Sequence, residues 1–329
     1  MRRSDHRTRI TRPRHIIAAA ALAAGWGATA LAAPRTVTLP GNQAYPESVT
    51  SIADGTLYVG SFASGGVARV RPGQSEAEPW IKPGAFDTRS TLGVLADERS
   101  NTLWVCSNDL SAMGVPGPSS AKGSELKGFD LATGHGKLSA RLPGQHTFCN
   151  DIAVGSDGSV YVTNTAAPQI LRLRPGEKQL QVWATDPAFT PPPKGGGLDG
   201  LAFGTDGNLY ADTFTKAELF RVEVKDGNPG TITKLQPSQP LALTDALRPD
   251  PNGGFLMIEG SGKLDHLTIK GDEATVQTLK DGYTGPTGVT PVGNTAWVSE
   301  GQLGFLVDPA KKGQSPRLPF KLYAVDLSR

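Results

Sequence analysis

Pro46-Glu-Ser-Val-Thr-Ser-Ile-Ala-Asp-Gly-Thr-Leu-Tyr-Val-Gly-Ser61 reads as two short strands joined by a tight turn: an alternating run, a break at Asp54-Gly55, and a restart at Leu57-Tyr-Val. Asp-Gly between alternating runs is hairpin chemistry, because glycine takes a positive φ at no steric cost. The pattern returns as Cys149-Asn-Asp-Ile-Ala-Val-Gly-Ser-Asp-Gly-Ser-Val-Tyr-Val-Thr-Asn164 and as Leu198-Asp-Gly-Leu-Ala-Phe-Gly-Thr-Asp-Gly-Asn-Leu-Tyr-Ala-Asp-Thr213. Looser copies run from Thr91 to Ser107, Thr244 to Glu259 and Pro286 to Glu300. Behind the hairpins come further β-like segments, such as Val67-Ala-Arg-Val-Arg71 and Ile170-Leu-Arg-Leu-Arg174, then a turn and a fourth, such as Leu180-Gln-Val-Trp183. Four strands recurring at about 45 residues are the signature of propeller blades. Six copies predict an all-β, six-bladed β-propeller of four antiparallel strands per blade, one domain over 33–329. A β-sandwich leaves the six-fold repeat unexplained. The chain stops at Phe320-Lys-Leu-Tyr-Ala-Val-Asp-Leu327, which reads as a third strand, so Arg35-Thr-Val-Thr-Leu39 is expected to supply the fourth and close the ring. Closure removes an exposed sheet edge.

Residues 1–32 have a different composition. Arg2, Arg3, Arg7, Arg9, Arg12 and Arg14 precede an apolar run from Ile16 to Ala24, and Ala30-Leu31-Ala32 offers small residues for cleavage. That is the plan of a secretory signal peptide, too short for the roughly 20 apolar residues of a spanning helix. The expectation is an exported protein, periplasmic or secreted, cleaved near Ala32 and left without a stable membrane anchor. Removing this leader takes away six Arg and one Asp, leaving 27 Lys and Arg against 30 Asp and Glu, so the net charge passes from +2 to −3. A slightly acidic body with scattered cations has no electrostatic footprint for nucleic acid, which leaves a small-molecule substrate as the expected partner.

The first residue of each inner strand and the last of the second strand fall at one end of the blade, because an antiparallel hairpin returns the chain to where it began. The inner-strand starts are Glu47, Leu92, Asn150, Asp199, Asp245 and Thr287. Carboxylates crowded where strands converge repel one another and are costly to desolvate without a counter-charge. A hard cation answers this, and oxygen donors from separate strands suit Ca²⁺ best, with Mg²⁺, Mn²⁺ or Zn²⁺ as alternatives. A polar axis filled with ordered water is the other outcome.

These residues resemble the SMP-30/gluconolactonase/LRE family of six-bladed propellers over nearly all of the chain after the leader. The resemblance implies an axial divalent cation held by Glu47 in Pro-Glu-Ser-Val, Asn150 in Cys-Asn-Asp-Ile, Asp199 in Leu-Asp-Gly-Leu and Asp245 in Thr-Asp-Ala-Leu. It further implies a lactone- or ester-hydrolysing enzyme with Asp245 as general base. Two positions depart from the family pattern: Asp199 replaces an Asn, and Phe148 stands where sugar lactonases carry an Arg that grips the substrate. His146 is placed for the rim and for proton transfer, or is an ordinary loop histidine. Glu259 and Glu300 end second strands at the same face, as groups of the rim or as solvated surface. The competing class is a non-catalytic binding propeller, with a structural cation or a water-filled axis.

No Gly-x-Ser-x-Gly elbow, phosphate-binding Gly-x-x-x-x-Gly-Lys or His-x-x-x-His pair appears. Cys106 and Cys149 fall near one face in neighbouring blades, as a disulfide or as two buried thiols.

Overall fold

The computed structural model describes Met1 and residues 34–328; the leader and its cleavage site lie outside the described residues. From Pro34 onward the chain forms six antiparallel sheets, the blades of a β-propeller. The inner strands are Pro46–Ser51, Ser90–Asp97, Cys149–Val154, Leu198–Phe203, Thr244–Pro249 and Pro286–Val292. The sixth blade is closed as expected: Thr36–Thr38 pairs antiparallel with Lys321–Asp326, Val37 opposite Leu322. One detail differs from the repeat. The fifth blade carries an extra short strand, Gln236–Pro237, parallel to its outer strand Glu273–Lys280.

The core lies between blades. Tyr161 packs edge-on against Trp183 within the third blade, ring centroids 4.9 Å apart, and against Phe203 of the fourth at 5.2 Å. Tyr210 of the fourth meets Phe255 of the fifth at 4.8 Å. Tyr161 and Tyr210 occupy the Tyr position of the Leu-Tyr-Val slot in the second strands of their blades, which explains why that slot favours a large flat side chain.

Every inner strand holds one residue more than its partner needs. Pro46 pairs with Ser61 but Val49 with Val59; the same slip separates Thr91 from Val94, Cys149 from Ile152, Leu198 from Leu201, and Thr244 from Leu247. In the sixth blade it falls between Pro286 and Gly288. Such a β-bulge bends the strand and re-aims the unpaired side chain. The bulged residues are the six inner-strand starts, from Glu47 through Thr287. The bulges also bring adjacent backbones close together. A Cβ on Gly93 would stand 2.0 Å from the Asn150 carbonyl oxygen, and one on Gly200 would stand 2.3 Å from that of Asp245.

Side chains fasten neighbouring blades at this level. Thr163 Oγ1 donates to the Asp199 carbonyl at 2.8 Å, Thr244 Oγ1 to Thr213 at 3.1 Å, and Thr287 Oγ1 to Pro46 at 2.8 Å. Asn108 exchanges two hydrogen bonds with the Cys149 backbone. Beside them Cys106 and Cys149 form a disulfide, Cα atoms 5.2 Å apart, joining the second blade to the third. Of the two states open in the sequence, the cross-link is the one found.

Gly93→Ala is expected to lose about 1–3 kcal/mol or more in chemical denaturation, since a rigid backbone oxygen blocks the added methyl. Cys149→Ser is expected to lose roughly 3 kcal/mol, and reductant should bring the wild type down to the same midpoint.

Candidate metal centre on the propeller axis

The bulges deliver four predicted donors to one place. Glu47, Asn150, Asp199 and Asp245 line a common axial cavity with Ser48, Gly93, Asp151, Ala246 and Thr287. All four are at least nine-tenths buried. The cavity measures about 10 Å³, room for a single water or ion. Two larger clefts, of about 460 and 360 Å³, lie among the hairpin turns at the opposite end of the strands and contain none of the predicted residues.

Asn150 Nδ2 donates to Thr165 Oγ1 at 3.0 Å, and Thr165 Oγ1 to the Leu198 carbonyl at 2.6 Å. This chain orients the amide and leaves its oxygen as the donor atom for a cation. Glu47 Oε2 and the Ser48 hydroxyl are buried without a hydrogen-bond partner.

Three further charges belong to the cluster. Asp212, in the second strand of the fourth blade, accepts from the Gly200 amide at 3.1 Å, and its other oxygen has no partner. Asp151, beside Asn150, takes a two-pronged ion pair from Arg248 of the fifth blade, at 2.6 and 2.7 Å. Sequence reasoning missed this trio. The signal was present for two of them: Asp151 sits in a bulge slot filled elsewhere by Ser48, Gly93, Gly200 and Ala246, and Arg248 in a strand slot filled by Thr50, Leu95, Ala153, Ala202 and Thr290.

Charge therefore does not balance. Five buried carboxylates, Glu47, Asp151, Asp199, Asp212 and Asp245, share one guanidinium, and Asp151 occupies it. Burial, then the neighbouring Asp199, pushes the Glu47 carboxyl well above the usual range. Asp199 is raised by burial and then by Asp245, and Asp245 by burial and then by Glu47. Burial raises Asp212 as well. A hard divalent cation suits such a set, being drawn to oxygen and to excess negative charge. In donor chemistry and in the orphaned Glu47 oxygen the residues fit one; in convergence they do not yet, since among the described residues no three His, Cys, Asp or Glu side chains are arranged to hold a metal ion.

The remaining predicted residues stand apart from this cavity. His146 is exposed in the loop before the third blade, where its carbonyl accepts from Asn164 Nδ2 at 3.2 Å. Phe148 is half-buried and packs on the apolar core that runs from the sixth blade through the third. Glu259 and Glu300 are buried, which overturns the surface alternative for both. Glu259 pairs with Lys263 at 2.8 Å and accepts from the Ala242 amide; Glu300 accepts from the Thr284 amide at 2.6 Å and from Arg317 at 2.9 Å. Each carboxylate ties the loop at its strand end to the blade.

The fold and site define the class: a six-bladed β-propeller with an acidic axial well. A strictosidine synthase-like N-terminal family model matches residues 28–70, the edge strand and first hairpin. No curated protein matches the sequence. Among solved structures, the major allergen Mala s 1 of Malassezia sympodialis superposes with a TM-score of 0.68 at 16% identity, over 90% of this chain and 97% of its own. A gluconolactonase from Xanthomonas campestris gives 0.61 at 17%, over 88% and 89%. Virginiamycin B lyase from Staphylococcus aureus gives 0.57 at 15%, over 88% and 83%. At these identities the likeness is one of fold.

The raised carboxyls fix a pH dependence. An acid whose folded pKa lies above its unfolded value contributes stability below the unfolded value, and that contribution is lost as pH rises through the folded one. Asp265, buried in the fifth blade and pushed up to about 6 by burial first and by nearby Glu259, acts in the same direction as the axial acids. With chelator present, the thermal midpoint should fall as pH rises above the ordinary carboxylate range, about 4, and Asp265→Asn should flatten the part centred near pH 6.

Proposed function

We propose that this protein is an exported, divalent-cation-dependent hydrolase of a small lactone or ester. The observation that carries it is the placement of Glu47, Asn150, Asp199 and Asp245 at equivalent bulges around one buried, under-compensated cavity. These four residues would hold the ion, most suitably Ca²⁺, with Mg²⁺, Mn²⁺ or Zn²⁺ as alternatives. When bound, the cation would polarise the substrate carbonyl and acidify water in its shell. Asp245 is the general base: burial and Glu47 raise its proton affinity, which lets the carboxylate accept a proton from attacking water and return it to the leaving oxygen. The cavity is too small for a substrate, so the scissile group approaches from the open face and only its carbonyl reaches the axis. Phe148 offers no charge to grip a polyhydroxylated acid, which favours a substrate other than a sugar lactone.

The gluconolactonase neighbour supports a hydrolase, while the lyase and the PQQ-bound aldose sugar dehydrogenase from Streptomyces coelicolor carry the same fold with other chemistry. Export is supported by the Arg-rich, Ala-rich leader and by the Cys106–Cys149 disulfide, a bond characteristic of oxidising compartments. Among the described residues no helix is long and apolar enough to cross a membrane. The narrowness of the cavity favours the competing class, a binding propeller with a structural ion or water on its axis.

Elemental analysis of the purified protein should find about one divalent cation per chain, lost in Asn150→Ala. Hydrolysis across a panel of lactones and esters should fall by 10²-fold or more in Asp245→Ala, on the order expected for a lost general base. The same variant should keep or raise its thermal midpoint in chelator, because one repelling carboxylate is gone. A cation-loaded wild type with no turnover on the panel would leave the binding propeller as the function.

A further inference from the structure

Arg248 and Asp151 depart together from the repeat. At the strand position of Arg248 the other blades carry Thr50, Leu95, Ala153, Ala202 and Thr290; opposite those stand Tyr58, Trp104, Tyr161, Tyr210 and Trp297, whereas Arg248 lies opposite Leu256. At the bulge position of Asp151 the others carry Ser48, Gly93, Gly200 and Ala246. A single cation and a single anion, on the fifth and third blades and 97 residues apart, thus meet with both ends of the guanidinium bonded to both carboxylate oxygens. Their side chains are about 5% exposed. Asp151 Oδ2 also accepts from the Leu201 amide at 2.9 Å, which seats the pair against the fourth blade, and Arg248 Nη1 donates to the Leu247 carbonyl at 2.7 Å.

Asp151 borders the same cavity as the four proposed ligands. Left free, it would be a further anion in that shell, and a buried carboxylate without a partner is strongly unfavourable. Arg248 removes it from competition. The guanidinium fork is planar and always charged, so it can fix the carboxylate in one orientation as a lysine could not.

We propose that Arg248 is a positioning residue that withdraws Asp151 from the axial ligand set, fixing the site's net charge and with it the affinity for a divalent cation. This rests on the axial cation site proposed above. The consequence is a chain that closes without its ion and binds it only moderately, the pair having already neutralised one of the five carboxylates.

The test is a charge cycle on the full mature protein: wild type, Arg248→Met, Asp151→Asn and the double variant. Each is titrated with Ca²⁺ and Mn²⁺ by calorimetry and melted in chelator. Arg248→Met should bind Ca²⁺ at least about tenfold more tightly, because it frees an extra negative charge beside the site, and should melt lowest in chelator. Asp151→Asn, which leaves the guanidinium unpaired, should bind at least about tenfold more weakly. The double variant, neutral at both positions, should return close to wild type in affinity and recover most of the lost melting temperature. If Arg248 serves only to fill space, the double variant melts as low as Arg248→Met and all four affinities agree, which would falsify the assignment. If no variant binds a cation, the axial metal site is wrong and the tuning role assigned to Arg248 falls with it; recovery of stability in the double variant would then mark Arg248 and Asp151 as a structural ion pair alone. Arg248→Lys guards against misfolding: it keeps the charge, should hold wild-type affinity within a few fold, and should melt above Arg248→Met.

Discussion

The close approach of six inner strands around one axis is the constraint from which the rest follows. Each strand carries one unpaired residue near its start, and at Gly93 and Gly200 the neighbouring carbonyl stands where a β-carbon would be. Of the six bulged residues, Glu47, Asn150, Asp199, Asp245 and Thr287 line the axial cavity, while Leu92 joins the apolar core. The threonine latches and the Cys106–Cys149 cross-link hold the same level of the ring, and a donor set placed there inherits the rigidity of the whole β-structure.

Such a place is costly for charge. Elsewhere in this protein acids near strand ends have partners: Glu259 has Lys263, and Glu300 has Arg317. On the axis, among the described residues, Asp151 alone has a cationic partner. Glu47, Asp199, Asp212 and Asp245 are left to neutralise by holding protons or by gathering a cation, and the two outcomes exclude each other because a proton and a metal compete for the same oxygens. A cavity of ion size among these carboxylates joins the energetic problem to a chemical one.

Propellers separate fold from chemistry unusually cleanly. The blades of this protein superpose on those of a gluconolactonase, virginiamycin B lyase and the allergen Mala s 1, because the core between sheets asks only for alternating apolar side chains and a turn. What differs is what the bulges present and what the surrounding loops allow in. Of the carboxylates lining the larger clefts at the opposite end, Asp97 and Asp157 are spent capping the turns around them.

Local sequence was enough for the six hairpins, the closure by the N-terminal strand and the shared placement of Glu47, Asn150, Asp199 and Asp245 at one cavity, since a repeat announces equivalent positions before any packing is known and Asp-Gly turns need only their own residues. It could not say that Glu259 and Glu300 would be buried, because their partners Ala242, Thr284 and Arg317 come from loops outside the repeat. Nor could it choose between a disulfide and two thiols for Cys106 and Cys149, a question of the distance between two blades. The pairing of Arg248 with Asp151 lay furthest from view. Each looked like an isolated substitution in its own copy of the repeat. Closure of the ring, which skips a whole blade to bring residues 97 apart into a bidentate contact, is what made them one feature.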